Sequence, residues 1–199
     1  MTGVSDKRAE TSVRIHEIIA SRWSPRLLDG EAEVSGEKLR ALLEAARWAP
    51  SYGNTQPARY VVGQRGDGTY KRVLDSLTES NRAWAHRAGA LLLACALTSN
   101  DKGTVPYAEY GVGLATENLV LQAVAEGLVA RQMAGFDREA ARKAFDLPSG
   151  VEPLVVIAVG VPAKPDAPGE DGEVERENAP RRRVPLSEFA FKEWGSAAF

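Results

Sequence analysis

Two stretches of this chain are apolar at every position over the length of a strand: residues 89–97 read GALLLACAL and residues 153–161 read PLVVIAVGV. A strand that faces water on one side alternates apolar with polar residues, so an unbroken apolar run implies a strand covered on both faces. The second run is rich in β-branched residues and is the clearest strand in the sequence. For the first, periodicity alone leaves a buried helix open. The longest helical pattern lies between the two runs, over residues 107–128. Its apolar set (Val112, Leu114, Ala115, Leu119, Val120, Ala123, Val124) covers more than one stripe. Such a helix is buried on several sides, in the core or at a subunit contact. Gly127 ends it.

The remaining elements follow from caps and turns. Ile15, Ile18 and Ile19 mark a first short helix that stops near residues 22–25. Ser35 caps a second, whose Leu39, Leu42, Leu43 and Ala46 share a face, although Lys38 stands where a capping box has Glu. This helix ends before Pro50. Residues 49–57 form a loop, 59–64 a strand, 66–68 a turn, 69–77 a helix, 129–133 a short strand and 138–145 a small helix. Residues 162–180 carry four prolines, six acids and two bases, the composition of a solvated tether. Beyond it come Arg181-Arg182-Arg183 and a tail with Leu186, Phe189, Phe191, Trp194 and Phe199, whose aromatic rings need a surface to cover them.

With 199 residues, 44% apolar and 26% charged, the chain reads as one globular domain over 1–199. Its net charge of −2 is too weak a field to make nucleic acid or an anionic membrane the default partner. Residues 1–14 hold no apolar secretion core, and no run of about 18 apolar residues occurs. A soluble, cytoplasmic protein is expected. Cys95, the single cysteine, has no partner for an intrachain disulfide and reads as a small buried hydrophobe. Two histidines and one cysteine cannot supply the usual nitrogen and sulfur ligands, so no metal is expected. Gly111-Val112-Gly113 lacks a third glycine at 116 and lies within a helix, which rules out a dinucleotide loop. Neither a Gly-x-Ser-x-Gly elbow nor a Walker loop is present, so hydrolytic and phosphoryl-transfer machinery is missing.

Three polar clusters remain: Arg22-Trp23-Ser24-Pro25-Arg26, the loop from Pro50 to Gln56, and the arginine triplet. Arginines from two distant segments can build one anion site, because guanidinium binds phosphate through paired hydrogen bonds. On composition alone a solvated loop and a charge run are the better explanation. Their order and spacing resemble the FMN-dependent nitroreductase family. That family opens with a helix ending in Arg-x-Ser-x-Arg, here Arg22, Ser24 and Arg26. Roughly 25 residues later comes Ala-Pro-Ser-x-x-Asn-x-Gln-Pro, here Ala49 to Pro57 without a mismatch. Asn81 ahead of the first apolar run, Asn118-Leu119 on the long helix, Pro153, Gly160-Val161-Pro162 and the late pair Arg181 and Arg183 extend the likeness.

The resemblance implies an α+β fold of three layers, a central, mostly antiparallel sheet flanked by helices, in an intertwined homodimer. It implies FMN as cofactor, with Arg22, Arg26, Arg181 and Arg183 on its phosphate and Ser24 and Asn81 on the ribityl chain or ring edge. Pro50, Ser51, Tyr52, Asn54 and Gln56 belong to a loop that approaches the flavin from the second subunit, and residues 181–199 pack on the partner. NADH or NADPH would deliver hydride, and a small electron-poor acceptor (nitro compound, quinone or flavin) would then be reduced in ping-pong order. No catalytic side chain is required, since the flavin carries the difficult step. The alternatives are an oxidase running the other way and a flavin-binding module without catalysis, which the motifs do not exclude. Ala58 stands where the family has an aromatic residue after Gln-Pro, which loosens that corner.

Overall fold

The computed structural model describes residues 7–164 and 172–199. Both apolar runs are central strands. The sheet has the order β1-β2-β6-β5, formed by β1 (Ala58–Gln64), β2 (Ala90–Leu97), β5 (Val129–Met133) and β6 (Val151–Gly160). All three pairings are antiparallel, with Val61 opposite Leu93 and Leu92 opposite Ile157. A bulge after Ala94 leaves Cys95 paired with Pro153. Proline removes a ladder donor, and in a central strand it is tolerated at such an irregularity.

Alternate residues of the two central strands explain why both runs are apolar throughout. Ala90, Leu92, Ala94, Ile157 and Val159 face one helical layer, made by α2 (Gly36–Arg47) and α5 (Ala108–Ala125). Leu91, Leu93, Cys95, Val156 and Ala158 face the other, made by α3 (Gly68–Ser76), α4 (Glu79–Ala85) and α6 (Arg138–Ala144). The result is a three-layer α+β architecture with two apolar cores and one sheet between them. Burial pushes the Cys95 thiol up to about 11, so it stays protonated.

Local chemistry sets the helix bounds. The Ser35 hydroxyl accepts the Lys38 N–H at 3.3 Å at the start of α2, which meets the first-turn N–H groups a helix leaves unpaired. Helix α5 runs from Tyr107 as its N-cap to Gly127, which takes φ +71° just past the end, as the left-handed C-terminal position requires. The Asn118 amide donates to the Ala45 carbonyl at 3.1 Å and ties α5 to α2.

Four features depart from the sequence reading. Helix α1 (Glu17–Ser21) is only five residues long, and Ile19 on it is 49% exposed. Helix α4 was not expected. A small ribbon, β3 (Ser99–Asn100) with β4 (Gly103–Thr104), fills the connection to α5. The fourth is a correction: the 162–180 stretch is not a solvated tether throughout. Pro162 bridges Leu28, and residues Glu173–Asn178 form a helix, α7, with Glu177 buried. Residues 165–171 of that stretch lie outside the described part. The tail after residue 180 forms a short turn and a ribbon, β7 (Phe191–Glu193) with β8 (Ser196–Ala197).

Candidate functional site

The two arginine-bearing segments meet. Arg22, Ser24 and Arg26, which follow α1, line one cleft of about 300 Å³ together with Arg181 and Arg183 from beyond α7. Lys7, Arg131 and Arg176 join them, so among the described residues seven basic side chains face a single carboxylate, Glu177.

Backbone contacts hold this cleft open. Glu177 is 5% exposed, and its carboxylate accepts the Arg26 N–H at 3.1 and 3.2 Å. Glu173, one turn earlier on α7, pairs with Arg87 at 2.7 Å, and both side chains are largely buried. Glu177 docks α7 onto the 22–28 turn and Glu173 docks it onto Arg87 beyond α4. Arg181 donates to the carbonyls of Lys7 at 2.5 Å and Ala20 at 3.2 Å, and the Lys7 ammonium donates to the Ala179 carbonyl at 2.7 Å. The Arg22 guanidinium donates to the Ser24 hydroxyl at 3.1 Å. Arg131 donates to the Ser24 carbonyl and lies over the Trp84 ring, 5.6 Å from its centroid.

Charge is not balanced in the cleft. Burial, then repulsion from Arg26, lowers the pKa of Arg131, with Glu177 opposing. Burial, then repulsion from Arg22 and Arg183, lowers that of Arg181. Burial raises the Glu177 carboxyl, against its hydrogen bond from Arg26 and the pull of Arg131. The Arg26 Nε is buried and has no acceptor. A half-buried group of guanidiniums that repel one another, one of them with an orphaned donor, is a site for an anion with several oxygens.

The other expected residues lie elsewhere in the protomer. Pro50, Ser51 and Gln56 line a separate cleft of about 90 Å³ with Gly111 of α5, sharing no residue with the basic one. The loop folds as a single 3₁₀ turn, Tyr52–Asn54. Gly53, Asn54 and Gln56 adopt φ of +51°, +55° and +46°, and the Ser51 hydroxyl accepts the Gln56 N–H at 3.0 Å. Tyr52 and Asn54 are exposed. Asn81 lines neither cleft: its amide donates to the Gly135 carbonyl at 2.9 Å.

Sequence reasoning missed Lys7, Arg131, Arg176 and Glu177. For Arg131 a signal existed, since it interrupts an apolar strand, and a guanidinium there needs a stated use. The others sat within ordinary charged stretches. Among the described residues no group of three His, Cys, Asp or Glu is placed to hold a metal ion, and no helix is long and apolar enough to cross a membrane.

Known proteins match this frame. An uncharacterized 15.4 kDa protein of Mycolicibacterium smegmatis is 37% identical over 146 residues, spanning 69% of this chain and 98% of the relative. A Streptomyces coelicolor protein, provisionally named an NADH dehydrogenase/NAD(P)H nitroreductase, is 29% identical over 159 residues, 69% of this chain and 78% of that one. A solved structure described as an oxidoreductase containing FMN superposes with a TM-score of 0.85 at 30% identity, covering 94% of this chain and 96% of the other. The family model described as Nitroreductase family fits residues 19–82 and 69–161, and the chain belongs to that family.

Proposed function

We propose that the chain is an FMN-dependent oxidoreductase that acts as a homodimer, takes electrons from NADH or NADPH and reduces a small electron-poor acceptor such as a nitro compound, quinone or flavin. The observation that carries this reading is the basic cleft, in which distant arginines surround a buried, unpaired Arg26 donor. That donor set fits a phosphate monoester, and FMN ends in one. The structurally similar oxidoreductase contains FMN, and the Streptomyces relative carries a nicotinamide-dependent name.

When bound, FMN would supply two-electron redox chemistry. This chain's residues supply the setting. Arg22, Arg26, Arg181 and Arg183 would hold the phosphate, and the Ser24 hydroxyl, oriented by Arg22, would hydrogen-bond the ribityl chain. Arg131 and Glu177 fix the Ser24 carbonyl and the Arg26 N–H, so the 22–26 turn keeps its shape. Asn81 keeps its amide oxygen and one N–H for a ligand, since its other N–H donates to the Gly135 carbonyl.

The loop from Pro50 to Gln56 shares no lining residue with the basic cleft of its own protomer, which favours a site completed by a second copy. Two apolar surfaces support the same assembly. Leu114, Leu121 and Val124 of α5 stay half-exposed, and in the 181–199 tail Phe189, Trp194 and Phe199 are 73%, 96% and 86% exposed. With this reading goes a cytoplasmic setting.

The test is an anaerobic spectrum of purified protein before and after NADPH, repeated with NADH. Oxidised flavin that bleaches with at least one donor is the expected outcome. Protein from flavin-replete cells that holds no flavin and binds none when FMN is added would overturn the cofactor. Bound flavin that stays oxidised with both donors would overturn the electron source.

A further inference from the structure

Arg59, the second residue of β1, is an exposed cation with part of its guanidinium already committed. Its Nη1 donates to the Gln56 and Ala58 carbonyls, both at 2.8 Å. Two acceptors use both hydrogens of that nitrogen and fix the plane of the ion. The Nε–H and the Nη2–H beside it then remain along one edge, spaced to meet the two oxygens of a carboxylate. Among the described residues no Asp or Glu forms an ion pair with Arg59.

Arg59 lines the cleft of about 90 Å³ that also holds Pro50, Ser51 and Gln56. The other charged residue of that lining, Arg47, is neutralised: Glu44 accepts from its Nε at 2.9 Å and from its Nη2 at 2.5 Å. Arg59 therefore gives the cleft its net positive charge. Small side chains, Ala46, Ala58 and Ala115, keep the space open. The anchor of Arg59 is rigid, because the Ser51 hydroxyl accepts the Gln56 N–H at 3.0 Å. A Cβ on Gly111 would come within 2.7 Å of Pro57 Cγ, so α5 is packed hard against the end of the loop. A guanidinium held in place before its ligand arrives loses little freedom on binding it.

We propose that Arg59 selects acceptors that carry a carboxylate, which it binds at the small cleft through Nε and Nη2. This rests on the reading that the 50–56 loop faces a flavin held by a second copy, so that the reducible end of the acceptor meets the flavin while its carboxylate reaches Arg59. Size and donor count identify the group. Pockets that enclose a whole ligand measure roughly 300–1,000 Å³, so a cleft of about 90 Å³ takes a substituent and leaves the rest of the molecule outside. One guanidinium edge matches the two oxygens of a carboxylate. A phosphate, with three terminal oxygens, suits the several arginines of the basic cleft instead.

The experiment compares FMN-loaded wild type with Arg59→Ala and Arg59→Gln, using 4-nitrobenzoate and its neutral analogue 4-nitrobenzamide as acceptors. The quantity read is the ratio of kcat/KM for the acid to that for the amide. Both variants are expected to lower this ratio about three- to tenfold, the span of a bidentate charge pair at a partly wet site, through KM for the acid. Damage to the loop itself would slow both acceptors alike and leave the ratio where it was. An unchanged ratio in both variants therefore overturns the proposal. The preference between NADPH and NADH is expected to stay within about twofold of wild type, since the two donors differ by a phosphate and not a carboxylate. A fall in that preference, with the acid-to-amide ratio intact, would assign Arg59 to the donor and overturn its role toward the acceptor. A variant that elutes as a smaller species on size exclusion overturns it too, because Arg59 would then be a contact between copies. Wild type without flavin would remove the underlying reading and the carboxylate subsite with it, and its absence of colour reveals this before any variant is assayed.

Discussion

Arg22 illustrates what a single residue contributes to the basic cleft. It is half-buried, hydrogen-bonds the Ser24 hydroxyl and raises the cost of keeping Arg181 charged nearby. Removing it relieves repulsion and disturbs no apolar core. Arg22→Ala is therefore expected to leave folding stability within about 0.5 kcal/mol, as for substitutions away from core features. Its effect belongs to the anion: a charge-assisted hydrogen bond is worth about 1.5–3 kcal/mol, so the FMN dissociation constant should rise roughly tenfold to a hundredfold. Flavin fluorescence titration and a thermal melt on the same sample measure both, and an unchanged dissociation constant would remove Arg22 from the site. Glu177 has the opposite balance, since its buried carboxylate holds the Arg26 N–H and its loss reshapes the turn itself.

At the scale of elements, caps decide where helices begin, and α3 offers a clean case. The Asp67 carboxylate accepts the Tyr70 N–H at 2.5 Å and the Gln64 N–H at 2.9 Å. The first of these bonds is the main cause that holds its carboxyl below the ordinary value. A depressed carboxyl stabilises the fold above its unfolded-state pKa, and that contribution disappears as pH falls through the folded-state value. Asp67→Ala is expected to cost about 1 kcal/mol at neutral pH, with the difference from wild type shrinking in acid once the carboxyl is protonated. Urea denaturation of both proteins at the two pH values reads this directly, and a difference undiminished in acid would contradict it. The four strands of the central sheet and α2, α3 and α5 were legible in the sequence because periodicity and end signals agreed. Helices α4 and α7 were not. Both are short, and tertiary contacts hold them: Trp84 is buried from α4, and Glu173 and Glu177 of α7 grip Arg87 and the Arg26 N–H. Carboxylates that look solvating in composition are taken up by partners 86 and 151 residues away, which no local pattern reveals. The motif arginines and the loop could be read from their spacing, whereas Arg131 was concealed in a strand.

For the whole molecule, the tail holds five of the exposed large apolar side chains among the described residues. Val184, Leu186, Phe189, Trp194 and Phe199 are each 45% exposed or more, and the β7–β8 ribbon is too short to be stable by itself. Deleting residues 186–199 is expected to convert a dimer into monomers and to reduce bound flavin, with little loss of helix signal because few contacts within the protomer are removed. Light scattering with flavin absorbance tests this, and a dimeric variant with full flavin content would show that the tail plays no part in assembly. The grip of Glu177 on Arg26 has one further consequence, for the timing of synthesis. The sheet is complete once residue 160 has left the ribosome, but Arg176, Glu177, Arg181 and Arg183 emerge later. A nascent chain stalled between those points would hold a finished scaffold and half a basic cleft, so on the proposed reading flavin loading is expected to wait for the last part of translation.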